Sequence, residues 1–167
     1  MTPGVPGAQW APPSEYSRGV ESLDERATAA RLFNRCWELL ETEPRTSDED
    51  AELLTSAFAS RHHWLIAGGP EQWTTSDWMV SRAAGAIGVH GLALWFADRA
   101  NDAARAEGTA DWLVASTAEG LARAHFQAGH SDQGARWEAE ASRLVAVIVD
   151  EEERALIAGQ LASVRAV

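Results

Sequence analysis

The chain has 167 residues, with 25 Asp and Glu against 14 basic residues, five His, one Cys and 46% hydrophobic residues, which predicts one globular domain. All 14 basic residues are Arg, so a Schiff-base lysine, a phosphate-loop lysine and a serine–lysine dyad are excluded, because each needs an amine that a guanidinium does not replace. A net charge of -11 with scattered arginines opposes phosphate backbones and anionic lipid, so neither a nucleic acid nor a membrane surface is expected as a partner.

The opening segment, MTPGVPGAQWAPPSEYSRGV, is rich in Pro and Gly and has no hydrophobic period, so residues 1–21 read as an extended or disordered arm. It lacks the basic segment and apolar run of a secretory signal, and the single Cys36 cannot close an intrachain disulfide, so a reducing cytoplasm is the expected setting. Ser22 with Glu25 forms a capping box for a first helix to about Glu41, with Phe33, Cys36, Trp37 and Leu40 on one face, and Pro44 ends it. Ser47, followed by Asp48, Glu49 and Asp50, caps a second helix to Ala67, which stops at Gly68-Gly69-Pro70.

A third helix is expected over Glu71 to Ile87 and a fourth over Gly91 to Glu107, each closed by a glycine. The apolar stretch Leu92 to Ala97 is bounded by Asp98 and Arg99, far short of the roughly 18 residues of a membrane span. Thr109 opens a fifth helix to Ala128, Ser131 caps a sixth, and Asp150 with Glu153 caps a short seventh. The expected layout is all-α: hairpins 22–67, 71–107 and 109–149, with a capping helix over 150–165.

GVHGLALWFADRA from Gly88 and GHSDQGARWEAEA from Gly129 align at a fixed offset, pairing Gly88 with Gly129, Ala93 with Gly134, and Ala100 with Ala141. Ser81 and Ala122 correspond on the preceding helices. A repeated helix, glycine turn and helix predicts stacked hairpins, with small residues where two backbones cross closely. In these positions the sequence resembles the tetratricopeptide (TPR) family, and the layout is similar to a group of uncharacterised bacterial TPR-like proteins. It departs from the family pattern at Asp77 and Ala118, which stand at a Trp or Leu position, and at Ala84 and His125, which stand at a Tyr position. The terminal Pro is missing from both units, and the period exceeds the family's roughly 34 residues.

The resemblance implies a concave groove formed by the first helix of each hairpin. Carried over by the glycine anchors, its outward positions are Trp78 and Arg82 in one unit and Glu119, Arg123, Phe126 and Gln127 in the next. The i,i+4 spacing of Trp78 with Arg82 and of Glu119 with Arg123 puts each pair on one helix face. Such a face would hold an acidic peptide or small carboxylate through bidentate Arg contacts, or else would contain ion pairs that only stabilise the helices. Near the second helix's end, Arg61-His62-His63-Trp64 serves either the helix dipole or, with His63 and Trp64 turned towards Trp78 and Arg82, a pocket with a titrating imidazole.

Metal spacing tests fail: no HExxH or Glu-x-x-His motif and no second thiol occur, and His125 and His130 straddle a helix end. No metal or cofactor is implied. Cys36 reads as an inert core thiol and the helical tryptophans as packing between hairpins, or as a dimer face. The resulting expectation is a non-catalytic module that binds a partner protein or itself. The alternative is a small-molecule-binding or catalytic helical protein, and the absence of catalytic motifs leans the reading away from an enzyme.

Overall fold

The computed structural model describes residues 24–165. Among these residues there are seven helices: α1 (Glu25–Leu40), α2 (Ser47–Ala67), α3 (Pro70–Ala86), α4 (His90–Ala103), α5 (Asp111–Gln127), α6 (Ser131–Val145) and α7 (Glu151–Ala162). The expected arm over 1–21 and the proposed cap Ser22 lie outside the described residues.

The first two caps lie two residues and one residue from where the sequence places them. Asp24 caps α1 by accepting from the Ala27 N–H, and Thr46 caps α2 in a reciprocal box with Glu49, leaving Ser47 as the first helical residue. Thr46 precedes an uninterrupted run of acidic residues, so its hydroxyl rather than that of Ser47 is three residues from a glutamate that can reach back. Pro70 opens α3, where its missing N–H costs nothing, and Gln72 accepts from the Gly69 N–H at 3.0 Å. Asp150 caps α7 as expected, accepting from Glu152 and Glu153. Helix α4 ends at Ala103 rather than near Glu107, and residues 104–110 form turns before α5 begins at Asp111 rather than Thr109.

Helices α1 with α2, α3 with α4 and α5 with α6 pack as hairpins. The first helices of the hairpins and α7 touch in sequence, α1 to α3 to α5 to α7, and form one layer. Helices α2, α4 and α6 form the other, each packed on the first-layer helix that follows it, with no close backbone contact to one another. The stack therefore curves with the first layer on its inner side.

The internal repeat is visible as geometry. At Gly88 and at Gly129 φ is +79° and +77°. In both turns the glycine N–H bonds back to the third residue before it, Gly88 to Gly85 and Gly129 to Phe126. The next N–H reaches five residues back, Val89 to Ala84 and His130 to His125. This is the Schellman closure, which a left-handed glycine allows without steric strain. The small residues sit at the crossings: Ala93, Ala100, Ala122 and Ala141 have no exposed surface, and Ser81 donates to the Ala93 carbonyl at 2.8 Å. A Cβ added at Gly134 would lie 2.7 Å from the Phe126 ring, so α5 and α6 approach through that position.

One apolar cluster joins the first two hairpins through Cys36, Leu39, Leu53, Trp78, Met79, Val80 and Phe96. A smaller one, with Ala115, Val145, Ile148 and Ile157, seats α7 on α5 and α6. Asp77, 4% exposed, binds the layers together: its carboxylate accepts from Arg61 of α2 at 2.5 Å and from Arg99 of α4 at 2.8 Å. Trp95 departs from the expected core role. It is 57% exposed on α4, with its ring edge-on to Phe96 and 5.8 Å from the Arg99 guanidinium carbon.

Glycine substitutions separate turn chemistry from helix propensity. A Cβ at Gly129 meets no other atom within 4 Å, so Gly129→Ala should lose only the left-handed backbone preference, about 1–2 kcal/mol. Gly159 also meets nothing within 4 Å but lies inside α7, and Gly159→Ala should gain about 0.5–1 kcal/mol. Urea denaturation of both variants reads the opposite signs directly.

Candidate functional site

The sequence places Trp78, Arg82, Glu119 and Arg123 on the inner layer, and the structure brings all four together, though not as an open charged face. Glu119 is fully buried, and its Oε1 is the hub of a network. Arg123, one turn along α5, donates to that oxygen from Nε at 2.9 Å and Nη2 at 2.6 Å, and Arg82 of α3 approaches it from Nη1 at 3.5 Å. The other donors of Arg123 reach α7: Nη2 bonds to the Gln160 carbonyl and the Ser163 hydroxyl, and Nη1 to the Ser163 carbonyl, at 2.8, 2.9 and 3.2 Å. Glu119 and Arg123 are thus the interior anchor of the capping helix. The expectation that they face outward is corrected by the docking of α7 on α5, which covers them.

Arg82 differs from Arg123 in how much of its hydrogen bonding is used. Its side chain is 15% exposed, and its guanidinium carbon lies 5.0 Å from the Trp37 ring and 5.3 Å from the Trp78 ring. Two aromatic faces favour a cation there. Its single hydrogen bond among the described residues is the long one to Glu119. Burial, reinforced by the charge of Arg123 and opposed by Glu119, pulls its pKa down to about 10, so it remains a cation at neutral pH. Two guanidiniums share one carboxylate, and the surplus positive charge resides at Arg82.

Arg82 opens onto a cavity of about 600 Å³ at the C-terminal rim of the inner layer, whose wall includes Arg45, His90, Arg123, Phe126 and Gln127. Arg45 is already committed, to Asp50 at 2.8 Å and the Ala86 carbonyl at 3.1 Å. Gly85 also lines this cavity, and a Cβ there would fall 2.0 Å from Gln127 Oε1, so α3 and α5 are held close by a glycine. Phe126 contacts the Arg165 guanidinium at 4.9 Å, which shields that end of the wall.

His63 and Trp64 do not join this site, so a pocket combining them with Trp78 and Arg82 is not formed. His63 Nδ1 pairs with Glu25 at the first turn of α1. The Trp64 carbonyl accepts from Trp73 Nε1 at 3.0 Å, and its ring lies 5.5 Å from the Arg26 guanidinium carbon. The cause is the α1–α2 pairing, which turns the His63 side chain and the Trp64 ring to α1, while Arg61 and the Trp64 carbonyl meet α3. His125 and His130, separated by the end of α5, are brought to 3.4 Å between Nδ1 atoms by the turn at Gly129. Burial lowers the His125 pKa and the nearby Asp98 opposes this. Among the described residues no group of three His, Cys, Asp or Glu side chains is placed to hold a metal ion.

Two features are missed from sequence. Asp77 stands where the repeat pattern puts a Trp or Leu, and a carboxylate at a position expected to be buried is itself the signal that basic partners must reach it. The stacking of Arg82 on Trp37 has no such signal, because these residues are far apart in the chain and meet only through helix packing.

Glu119→Gln, which leaves both guanidiniums without their counter-charge, should destabilise the fold by about 3–5 kcal/mol, the scale for breaking a buried ion pair. Urea denaturation at neutral pH measures it. Burial pushes the Cys36 thiol up to about 12, so the native protein should not react with a thiol-specific disulfide reagent at pH 8, whereas the urea-unfolded chain should react fully. Compared with known proteins, the chain matches no family model, no curated sequence and no solved structure.

Proposed function

We propose that this chain is a non-catalytic, TPR-like interaction module that receives a segment of a partner protein at the C-terminal rim of its inner layer, with Arg82 as the contact for a carboxylate. One observation supports the reading above the others: Arg82 lines the 600 Å³ cavity as a partly buried cation, 15% exposed, whose described hydrogen bonding is one contact of 3.5 Å. A guanidinium packed against two rings is already oriented, so little side-chain entropy is lost when a carboxylate arrives. Charge decides how many carboxylates such a segment presents. The molecule carries -11 overall, and at physiological ionic strength that repulsion is felt within a Debye length of about 8 Å. A polyacidic segment is repelled as a whole and by Glu43 in the cavity wall, while a single carboxylate can reach the Arg82 guanidinium. The reading is therefore for a segment bearing one Asp or Glu, or a chain-terminal carboxylate, among neutral residues.

The test uses backbone amide NMR of the whole protein titrated with a short capped peptide carrying one Glu, and with the same peptide carrying Gln. The Glu peptide should shift the amides of Arg82, Gly85 and Gln127 saturably, and the Gln peptide should not. Arg82→Gln should weaken the Glu peptide at least tenfold, in keeping with about 1.5–3 kcal/mol for a hydrogen bond to a charged group. Equal responses to the two peptides, or a response that survives Arg82→Gln, would overturn the proposal. Arg82→Ala is the poorer variant, because it also removes the stem that packs on Trp37 and Trp78.

A further inference from the structure

Trp37 and Trp78, the rings that hold Arg82, also wall a separate cavity of about 190 Å³. All four inner-layer helices meet there: Phe33 and Trp37 come from α1, Trp78 from α3, Trp112 from α5, and Ile157 and Gln160 from α7. Arg82 is not part of its wall. The lining is almost entirely apolar, and the hydroxyl of Thr75, which also borders it, is committed to the Glu71 carbonyl at 2.8 Å. Its other polar side chains are Ser116 and Gln160, and Gln160 Oε1, like Trp78 Nε1, is buried with no hydrogen-bond partner among the described residues.

The slot is open to solvent past the exposed Leu156 of α7, so it is an apolar recess between helices rather than a sealed void. A cavity of about 150 Å³ lined by apolar side chains stays dry and takes up benzene. The slot here is of similar volume but partly open, is faced by aromatic rings, and is bordered by an amide whose oxygen has no hydrogen-bond partner among the described residues. A buried acceptor left unpaired is unfavourable, and a ligand that supplies the missing partner relieves it. A hydroxyl both donates and accepts, so it satisfies the Gln160 amide in either orientation of that group.

We propose that this slot is a binding site for a single-ring aromatic alcohol, with the ring among Phe33, Trp37, Trp78 and Trp112 and the hydroxyl on the Gln160 amide. The site is independent of the carboxylate contact at Arg82, and either can fail without the other. A phenolic ring reaches it from a free small molecule or from a tyrosine side chain, and the two sources share the chemistry recognised.

The test is fluorine NMR of the full chain titrated with para-fluorophenol and with para-fluorotoluene, which has the same ring without the hydroxyl. Saturable binding of the phenol is expected, several-fold tighter than the toluene. Gln160→Leu should abolish that preference while the ring still binds, and Trp112→Leu should weaken both probes, with the far-UV spectrum and urea midpoint confirming that each variant folds. Displacement of the fluorophenol by N-acetyl-tyrosinamide would assign the site to a tyrosine side chain, and failure to displace it would assign it to a free phenol. Absence of saturable binding to the wild-type chain, or a phenol preference that persists in Gln160→Leu, would overturn the proposal.

Discussion

The buried carboxylate of Glu119 is the interaction on which the inner layer depends. Taking an ion pair out of water is costly, and the cost is offset only where geometry is close and the remaining donors find partners. Arg123 meets that condition: it doubles its contact to Glu119 Oε1 and directs what is left of its fork to the Gln160 and Ser163 backbone and the Ser163 hydroxyl. One carboxylate on α5 therefore fixes the end of α7. It also leaves Arg82 incompletely neutralised: that guanidinium approaches Oε1 only to 3.5 Å, and Glu119 Oε2 is buried with no hydrogen-bond partner among the described residues. Stability at one arginine and availability at the other have a common origin.

A second carboxylate does comparable work between layers. Asp77 lies on α3 but draws its partners from α2 and α4, which make no close backbone contact with each other. Helices that splay on the outer side need something other than mutual packing to fix their angle, and two guanidiniums converging on one buried acceptor give a directional constraint that apolar contact does not. The apolar clusters hold the hairpins together, while the two ionic hubs set how one hairpin sits on the next.

The tryptophans have divided roles for the same reason. Trp37 and Trp78, tilted at 45° with centroids 5.8 Å apart, are packed into the layer and also present faces to Arg82. Trp95 is exposed and Trp112 borders the apolar slot. A large ring fills space well only where neighbouring helices match its outline. Where α1, α3, α5 and α7 converge with so many rings the fit leaves a cavity, whereas at the Gly120 crossing Trp78 leaves no room even for a Cβ, which would lie 2.8 Å from its ring.

The sequence alone determined the all-helical class, the pairing into hairpins and the two equivalent glycine turns. Each depends on local rules: proline and glycine punctuation, side-chain caps and the residue types that tolerate positive φ. The i,i+4 spacing correctly put Glu119 beside Arg123, because that contact is made within one helix. Only the tertiary structure decided that the pair is covered by α7, that His63 turns to Glu25, that Arg82 stacks on Trp37, and that an apolar slot remains beside Gln160. These contacts join residues tens of positions apart, and their geometry is set by how far one helix rotates and slides on another. Hydrophobic pattern states which face of a helix is buried but not what it is buried against. The burial of a charged residue thus became legible only when the helices that supply its partners were in place.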